Sequence, residues 1–401
     1  MRILLICNKS PYPPLEGGPI AMNMMIDGLL EAGHTVKVLA INTNKYFTAY
    51  DSIPVEYREK TNIELHYTDL SLKPLSALHC LITRQSLHAY RFNSPSWLKP
   101  LKTILDQQDF DLVQIETIFM APALDVIRAK SKAKIVLRAH NVEYLIWKRV
   151  WESTRNPLKR WYMNHIWLTL NKFEDQTLPR FDGIIAITEQ DASLFRSRKL
   201  NTPVVAIPFG IRKEKVARVA PVLPPSPVAF HIGSMDWIPN QEGIRWLIEK
   251  VWPEVKKRLP QAQLLLAGRN MPPWLLNANI SGVENLGEVP NAREFMLQGR
   301  VMVVPLFSGS GIRIKIVEAL AAGKAVITTS VGAEGIECTH NHNILIANDI
   351  ASMIEALVRA LTDDKLCNKL SMNAIRLIEE QHLQENLISK LEGFYQTIQN
   401  Q

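Results

Sequence analysis

Arg2-Ile3-Leu4-Leu5-Ile6-Cys7 is a short apolar run that ends in a Pro/Gly-rich turn, Pro11–Pro19. Beyond the turn, Ile20, Met24, Leu29 and Leu30 recur at helical spacing, and Gly33 closes the segment as a helix cap. His34-Thr35-Val36-Lys37-Val38-Leu39-Ala40 then reads as a second strand. A strand, a crossover helix and a strand make a βαβ unit, and its right-handed crossover makes the sheet parallel. Asp111–Ile115, Lys134–Leu137, Gly183–Ile187 and Val204–Ile207 extend that sheet.

The second half repeats the pattern. Strands are expected at Val228–Ile232, Gln263–Ala267, Val301–Leu306 and Ala325–Thr328, with helices at Gln241–Leu259 and from about Gly311 to Ala322, the latter capped by Gly323. Ala220-Pro221-Val222-Leu223-Pro224-Pro225-Ser226-Pro227 reads as a stiff linker. The fold class is therefore α/β, two Rossmann-like doubly wound domains, with ligands beyond the carboxyl ends of the strands and a shared site in the cleft the domains face across.

Composition agrees. A chain of 401 residues is too long for one domain of about 150 residues. With 47% apolar and 21% charged residues, disorder and coiled coil are excluded. No apolar run approaches the roughly 18 residues that span a bilayer, and Met1–Asn8 lacks the cleavage site of a signal peptide. Four scattered cysteines form no C-x-x-C pair, which favours a reducing, cytoplasmic setting.

Residues 1–200 hold 26 Lys/Arg against 20 Asp/Glu, and residues 201–401 hold 20 against 19, so the first half is the one that meets an anionic partner or surface. Over residues 155–175, Trp161, Tyr162, Ile166, Trp167, Leu170 and Phe173 recur at helical spacing among basic residues. Two readings stand: a helix packed on its own domain, favoured because helical aromatic spacing is usually core, and a peripheral face for an anionic membrane.

The chemistry concentrates in Pro305-Leu306-Phe307-Ser308-Gly309-Ser310-Gly311-Ile312-Arg313-Ile314-Lys315-Ile316-Val317-Glu318. Glycines let a backbone approach a ligand, and the N–H groups at a helix start attract anions. Arg313 and Lys315 add two cations suited to a diphosphate, and Glu318 lies one turn further on, within reach of a ribose diol. The bland alternative is an ordinary β-loop-α unit with Lys315 and Glu318 as a surface pair.

The chain resembles the family 4 glycosyltransferases, retaining enzymes of the two-domain GT-B fold. The resemblance rests on His231-Ile232-Gly233-Ser234-Met235-Asp236-Trp237-Ile238-Pro239-Asn240, Leu266-Ala267-Gly268-Arg269, Asn285-Leu286-Gly287-Glu288-Val289, the loop above and Gly332-Ala333-Glu334-Gly335-Ile336. Looser matches are Glu16-Gly17-Gly18 and Arg138-Ala139-His140-Asn141-Val142-Glu143-Tyr144. It implies an N-terminal acceptor domain over 1–207, a linker over 208–228, a donor domain over 229–378 and a C-terminal helix over 379–401 that returns to the first domain.

It further implies that Arg313 and Lys315 hold the donor's diphosphate and Glu318 its ribose. Gly309, Ser310, Gly311 and Ile312 would line the sugar and phosphate, with Gly233 and Ser234 closing from the other side. Arg269 and Val289 would face the base. Gly17 and Gly18 would reach toward donor phosphate and acceptor, and His140 would contact the transferred sugar or acceptor. Glu116 would approach the reacting sugar as a candidate for acceptor activation. One departure is Ser310, where the family often carries a second glutamate; the Gly-rich loop followed by Arg-x-Lys resembles an established variation.

The implied substrate is a UDP- or GDP-linked sugar, the acceptor a glycan or lipid-linked hydroxyl in cell-surface polysaccharide assembly. No metal, cofactor or nucleic-acid partner is expected, and peripheral contact at the inner membrane face is. A sugar-nucleotide epimerase and a non-catalytic binding subunit are the rivals. Asp109-Phe110-Asp111, His340-Asn341-His342 and Thr188-Glu189-Gln190-Asp191 read as turn, loop and helix cap rather than metal or acid/base sites.

Overall fold

The computed structural model describes residues 1–309 and 311–401; Ser310, which carried one of the donor-site expectations, lies outside the described residues. The chain forms two compact units, Met1–Phe209 with Glu385–Gln401, and Gly210–Gln384.

The first unit is built on β1 (Arg2–Cys7), β2 (Thr35–Thr43), β3 (Glu64–Thr68), β4 (Leu112–Glu116), β5 (Lys134–Ala139), β6 (Gly183–Ala186) and β7 (Val204–Ala206), all parallel, in the order β3-β2-β1-β4-β5-β6-β7. Alternate residues of β1 feed opposite layers, as strand geometry requires. Leu4 and Ile6 join the cluster containing Trp97, and Ile3, Leu5 and Cys7 join a second one. That second layer includes Leu387, Ile388, Leu391, Tyr395 and Ile398 of the helix Gln384–Gln399, so the last helix does return to the first domain.

The second unit has β8 (Val228–Ile232), β9 (Gln263–Ala267), β10 (Val283–Gly287), β11 (Val301–Val304), β12 (Ala325–Thr328) and β13 (Leu345–Ile346), parallel in the order β10-β9-β8-β11-β12-β13. Strand order reverses between β8 and β11, where open α/β sheets bind ligands.

Several expectations need correction. The proline-dense stretch is no free linker: Gly210–Pro227 belongs to the second unit, where the Ala217 N–H donates to Ala321 O at 2.8 Å. The final helix starts at Gln384 rather than at 379, because residues 379–381 finish the helix Asp364–Gln381. Between those helices Ile211 donates to His382 O at 2.6 Å and Gln384 to Ile211 O at 3.0 Å, so the two passages of the chain run side by side.

The helix expected over Gln241–Leu259 comes as Ile238–Trp246, a wide turn Leu247–Val251 and Trp252–Arg258. Pro253 has no N–H to give the preceding turn, which a wide turn accommodates. The helix expected from Gly311 begins at Ile314 instead. Gly311 sits at φ +79° and Arg313 has non-helical angles, so Arg313 occupies the cap and Lys315 the first turn.

Candidate functional site

Three segments at the carboxyl edge of the second sheet converge on Lys315. Its Nζ donates to Asn240 Oδ1 at 2.8 Å and lies 3.3 Å from His231 Nε2. His231 Nδ1 donates to Val303 O at 2.8 Å, so Nε2 is the acceptor toward the ammonium. Asn240 is itself oriented, its Nδ2 donating to Ser234 O at 2.7 Å. Burial, then Lys315, keeps His231 neutral, well below its ordinary range. Burial, then the positive Arg313, pushes Lys315 down to about 7. The site therefore holds a cation under electrostatic pressure, which an anion would relieve.

The backbone is shaped to that ammonium. A Cβ at Gly233 would lie 2.9 Å from both Lys315 Nζ and Asn240 Nδ2. Gly268, at φ +150°, backs it so closely that a Cβ would stand 1.8 Å from Gly233 O. Gly268 therefore requires glycine, whereas a side chain at Gly233 would push aside the ammonium and the amide that holds it.

Arg313 is buried, with its guanidinium carbon 5.3 Å from the centre of the Trp237 ring. Gly309, at φ +118°, packs into the same corner: a Cβ there would meet Arg313 Nη2 at 2.8 Å and Trp237 at 3.0 Å. Glu318 is half-buried one turn past Lys315, its carboxyl raised by burial against the pull of Lys215. The Ser234 hydroxyl donates to Asp236 at 2.5 Å. Arg269 is half-buried and its carbonyl accepts from the Met235 N–H at 2.9 Å. Val289 lies just past β10, two strands from β8. The structure thus draws Gly233, Lys315, Arg313 and Gly309 together. His231, Asn240 and Trp237, to which the sequence reading gave no role, hold the cations in place.

In the first unit, Glu116 pairs in register with Arg138 across β4 and β5. Gln114 Nε2 donates to Glu116 Oε1 at 2.5 Å, while Arg138 Nη1 at 3.2 Å and His140 Nε2 at 2.7 Å share Oε2. The Tyr395 hydroxyl donates to Gln114 Oε1 from the C-terminal helix. Burial works to raise the Glu116 carboxyl, but Arg138, His140 and Gln114 outweigh it and hold it at about 2. Here the expectation of direct acceptor activation by Glu116 is corrected: the side chain has no exposed surface and both oxygens are engaged. Its Oε2 instead meets His140, which stays about one-fifth exposed. Gly17 and Gly18 open the helix Gly17–Glu31 rather than sitting in the turn before it.

Beside His140, Glu143 is raised to about 8 by burial and then by Glu174, and Glu174 to about 7 by burial, against Arg198. Asp111 accepts from the Arg2 N–H at 2.6 Å, His340 Nδ1 from the Ile346 N–H at 2.9 Å, and Thr188 Oγ1 from the Asp191 N–H at 3.0 Å. All three are structural contacts.

Two parallel, doubly wound units, one with a guarded Lys–Arg pair at its strand-order reversal, have the architecture of the GT-B glycosyltransferases. Family profiles agree: "Glycosyltransferase Family 4" matches residues 17–215 and "Glycosyl transferases group 1" matches residues 226–363. The chain belongs to the family 4 glycosyltransferases. An uncharacterised 44.6 kDa protein in the cps region of Klebsiella pneumoniae is 23% identical over 402 residues, covering 97% of this chain and 98% of that one. Sucrose-phosphate synthase from Thermosynechococcus elongatus superposes with a TM-score of 0.71 at 16% identity, over 99% of both chains. HepE from Anabaena, in complex with UDP and glucose, gives 0.67 at 14% identity over 99% of this chain and 100% of its own. At such identities these structures establish the fold.

Proposed function

We propose that this glycosyltransferase takes a nucleotide-diphosphate sugar, UDP- or GDP-linked, on its second unit and transfers the sugar with retention to a hydroxyl of a glycan or lipid-linked acceptor. The carrying observation is the Lys315 ammonium, held by Asn240 and His231 beside Arg313, with its pKa forced down to about 7. A diphosphate leaving group gains negative charge as the anomeric C–O bond breaks. Cations already fixed in a partly dry site stabilise that charge without reorganising. The acceptor oxygen forms the new bond on the same face, and its proton passes to the departing phosphate oxygen. Glu116, the carboxylate expected nearest the sugar, is fully buried in its ion pair and offers no nucleophile, which favours this front-side course. His140, braced by Glu116, is the group we assign to the sugar or acceptor.

Support for a role in cell-surface polysaccharide assembly comes from the cps-region relative, and support for a charged or membrane-borne acceptor from the basic first half. No helix among the described residues is long and apolar enough to cross a membrane, so such contact would be peripheral. The test is Arg313→Ala: turnover falls by about a hundredfold or more while the circular dichroism spectrum is unchanged, and product NMR shows the donor's anomeric configuration. Wild-type turnover in the variant, or an inverted product, overturns the reading.

A further inference from the structure

The helix Pro74–Thr83 is turned inside out. It buries Cys80, yet Leu75, Leu78 and Ile82, spaced along one face, are 82%, 54% and 73% exposed. Leu72, just before it, is exposed as well. A second exposed set lies on the helix Pro157–Thr177, whose core stripe is Met163, Ile166 and Leu170. Leu158, Trp161 and Tyr162 project to solvent instead, so the aromatic spacing that favoured a packed helix divides between core and surface.

The two sets belong to one surface. The Tyr90 ring packs tilted against His79 of the first helix, centroids 5.5 Å apart, and Arg91 lies within electrostatic reach of Tyr162. A cavity of about 400 Å³ has Thr83, Arg84 and Tyr90 on one wall and Thr169, Lys172 and Phe173 on the other. The charge around this surface is predominantly basic, although Lys73 is paired with Asp69. Residues 70–105 carry five Lys/Arg and no Asp/Glu, and residues 153–173 carry four and none.

We propose that this face docks on the anionic headgroup layer of a lipid bilayer. Leu75, Leu78 and Ile82 enter the acyl boundary while Arg84, Arg155, Lys159, Arg160 and Lys172 bind headgroup phosphates. Apolar side chains on one face of a helix, rimmed by cations and flanked by an exposed tryptophan, fit an interfacial element that lies on a membrane rather than spanning it. A second copy of the chain is the poorer occupant, because two faces each carrying this excess of cations repel. The proposal deepens the membrane reading of the proposed function by naming its surface.

The test is flotation of the full chain with phosphatidylcholine vesicles, with and without phosphatidylglycerol, in the absence of any nucleotide sugar; failure here therefore leaves the donor chemistry standing. Wild type floats with the anionic vesicles, not the neutral ones, and salt releases it. Arg155→Gln/Lys159→Gln/Arg160→Gln, all surface changes, weakens binding about a hundredfold, at roughly fivefold per cation. Leu75→Ser/Leu78→Ser/Ile82→Ser abolishes flotation at an unchanged Tm. Equal binding to both vesicles, binding to neither, unaltered binding by the charge variant, or a concentration-dependent dimer that the serine variant dissociates would each overturn the proposal.

Discussion

If Lys315 holds the donor diphosphate as proposed, donor binding should depend on pH in a direction fixed by the surroundings of this lysine. In the free protein its ammonium titrates at about 7, pushed there by burial and Arg313. At pH 6 the cation is in place before the donor arrives. At pH 8 about nine-tenths of the molecules hold a neutral amine, and the diphosphate must recruit a proton to regain its partner. Each pH unit above the free pKa then costs about 1.4 kcal/mol, or about tenfold in affinity, until the raised pKa of the complex is reached. The phosphates of a nucleotide-diphosphate sugar stay ionised across this range, so the slope belongs to the protein. Calorimetry should use whichever of the UDP-, GDP- and dTDP-sugars gives the largest thermal shift, in buffer pairs of different ionisation enthalpy. Proton uptake should approach one per donor at pH 8 and near zero at pH 6. Lys315→Met should flatten the dependence and weaken binding about a hundredfold at pH 6. A flat affinity between pH 6 and 8 with no proton uptake refutes the reasoning, as does a variant that keeps the wild-type slope.

Glu116 gives an acid-side prediction. Its folded pKa of about 2 lies below the ordinary 4.5, so its contribution of about 3 kcal/mol is complete above pH 4.5 and is lost as pH falls toward 2. Urea titrations should show that loss, and Glu116→Gln, which strands the Arg138 charge, should cost about 3–5 kcal/mol at pH 7 and lack the acid slope. Glu143 and Glu174 act with the opposite sign: with folded pKa values of about 8 and about 7, they bind protons the unfolded chain has released, so the first unit should lose stability as pH rises from 5 to 8. Glu143→Gln should reduce that slope, and an unchanged slope would assign it elsewhere. Gly268→Ala must accommodate a Cβ 1.8 Å from Gly233 O at a positive φ; a cost of about 2 kcal/mol or more and weaker donor binding should appear together in denaturation and calorimetry.

How much of this was legible in the sequence depended on how local the cause was. β1 and β8 stood out because continuous apolar runs are what strands buried on both faces look like. β3 and β10 did not, because at the sheet edges their side chains are half-buried or exposed along most of their length. β13 has only two residues. The helix starts at Ile314, three residues past the expected position, since Gly311 and Arg313 leave the helical region for reasons of loop geometry that composition does not carry.

The site divides along the same line. Gly309, Arg313 and Lys315 lie within seven residues of one another, so their spacing alone suggested an anion site. That Lys315 bonds to Asn240, 75 residues away, and faces His231, 84 residues away, is a consequence of β8 lying beside β11. The same holds for Glu116, which as a strand-end glutamate looked free to act. Only the register placing it opposite Arg138, with Gln114 two residues back on the same face, reveals a buried anion already neutralised. Cations clustered by the chain itself can be found by reading along it. Whether a charged group is available for chemistry or committed to a partner is decided by strand neighbours remote in sequence, and in this protein that distinction separates Lys315 from Glu116.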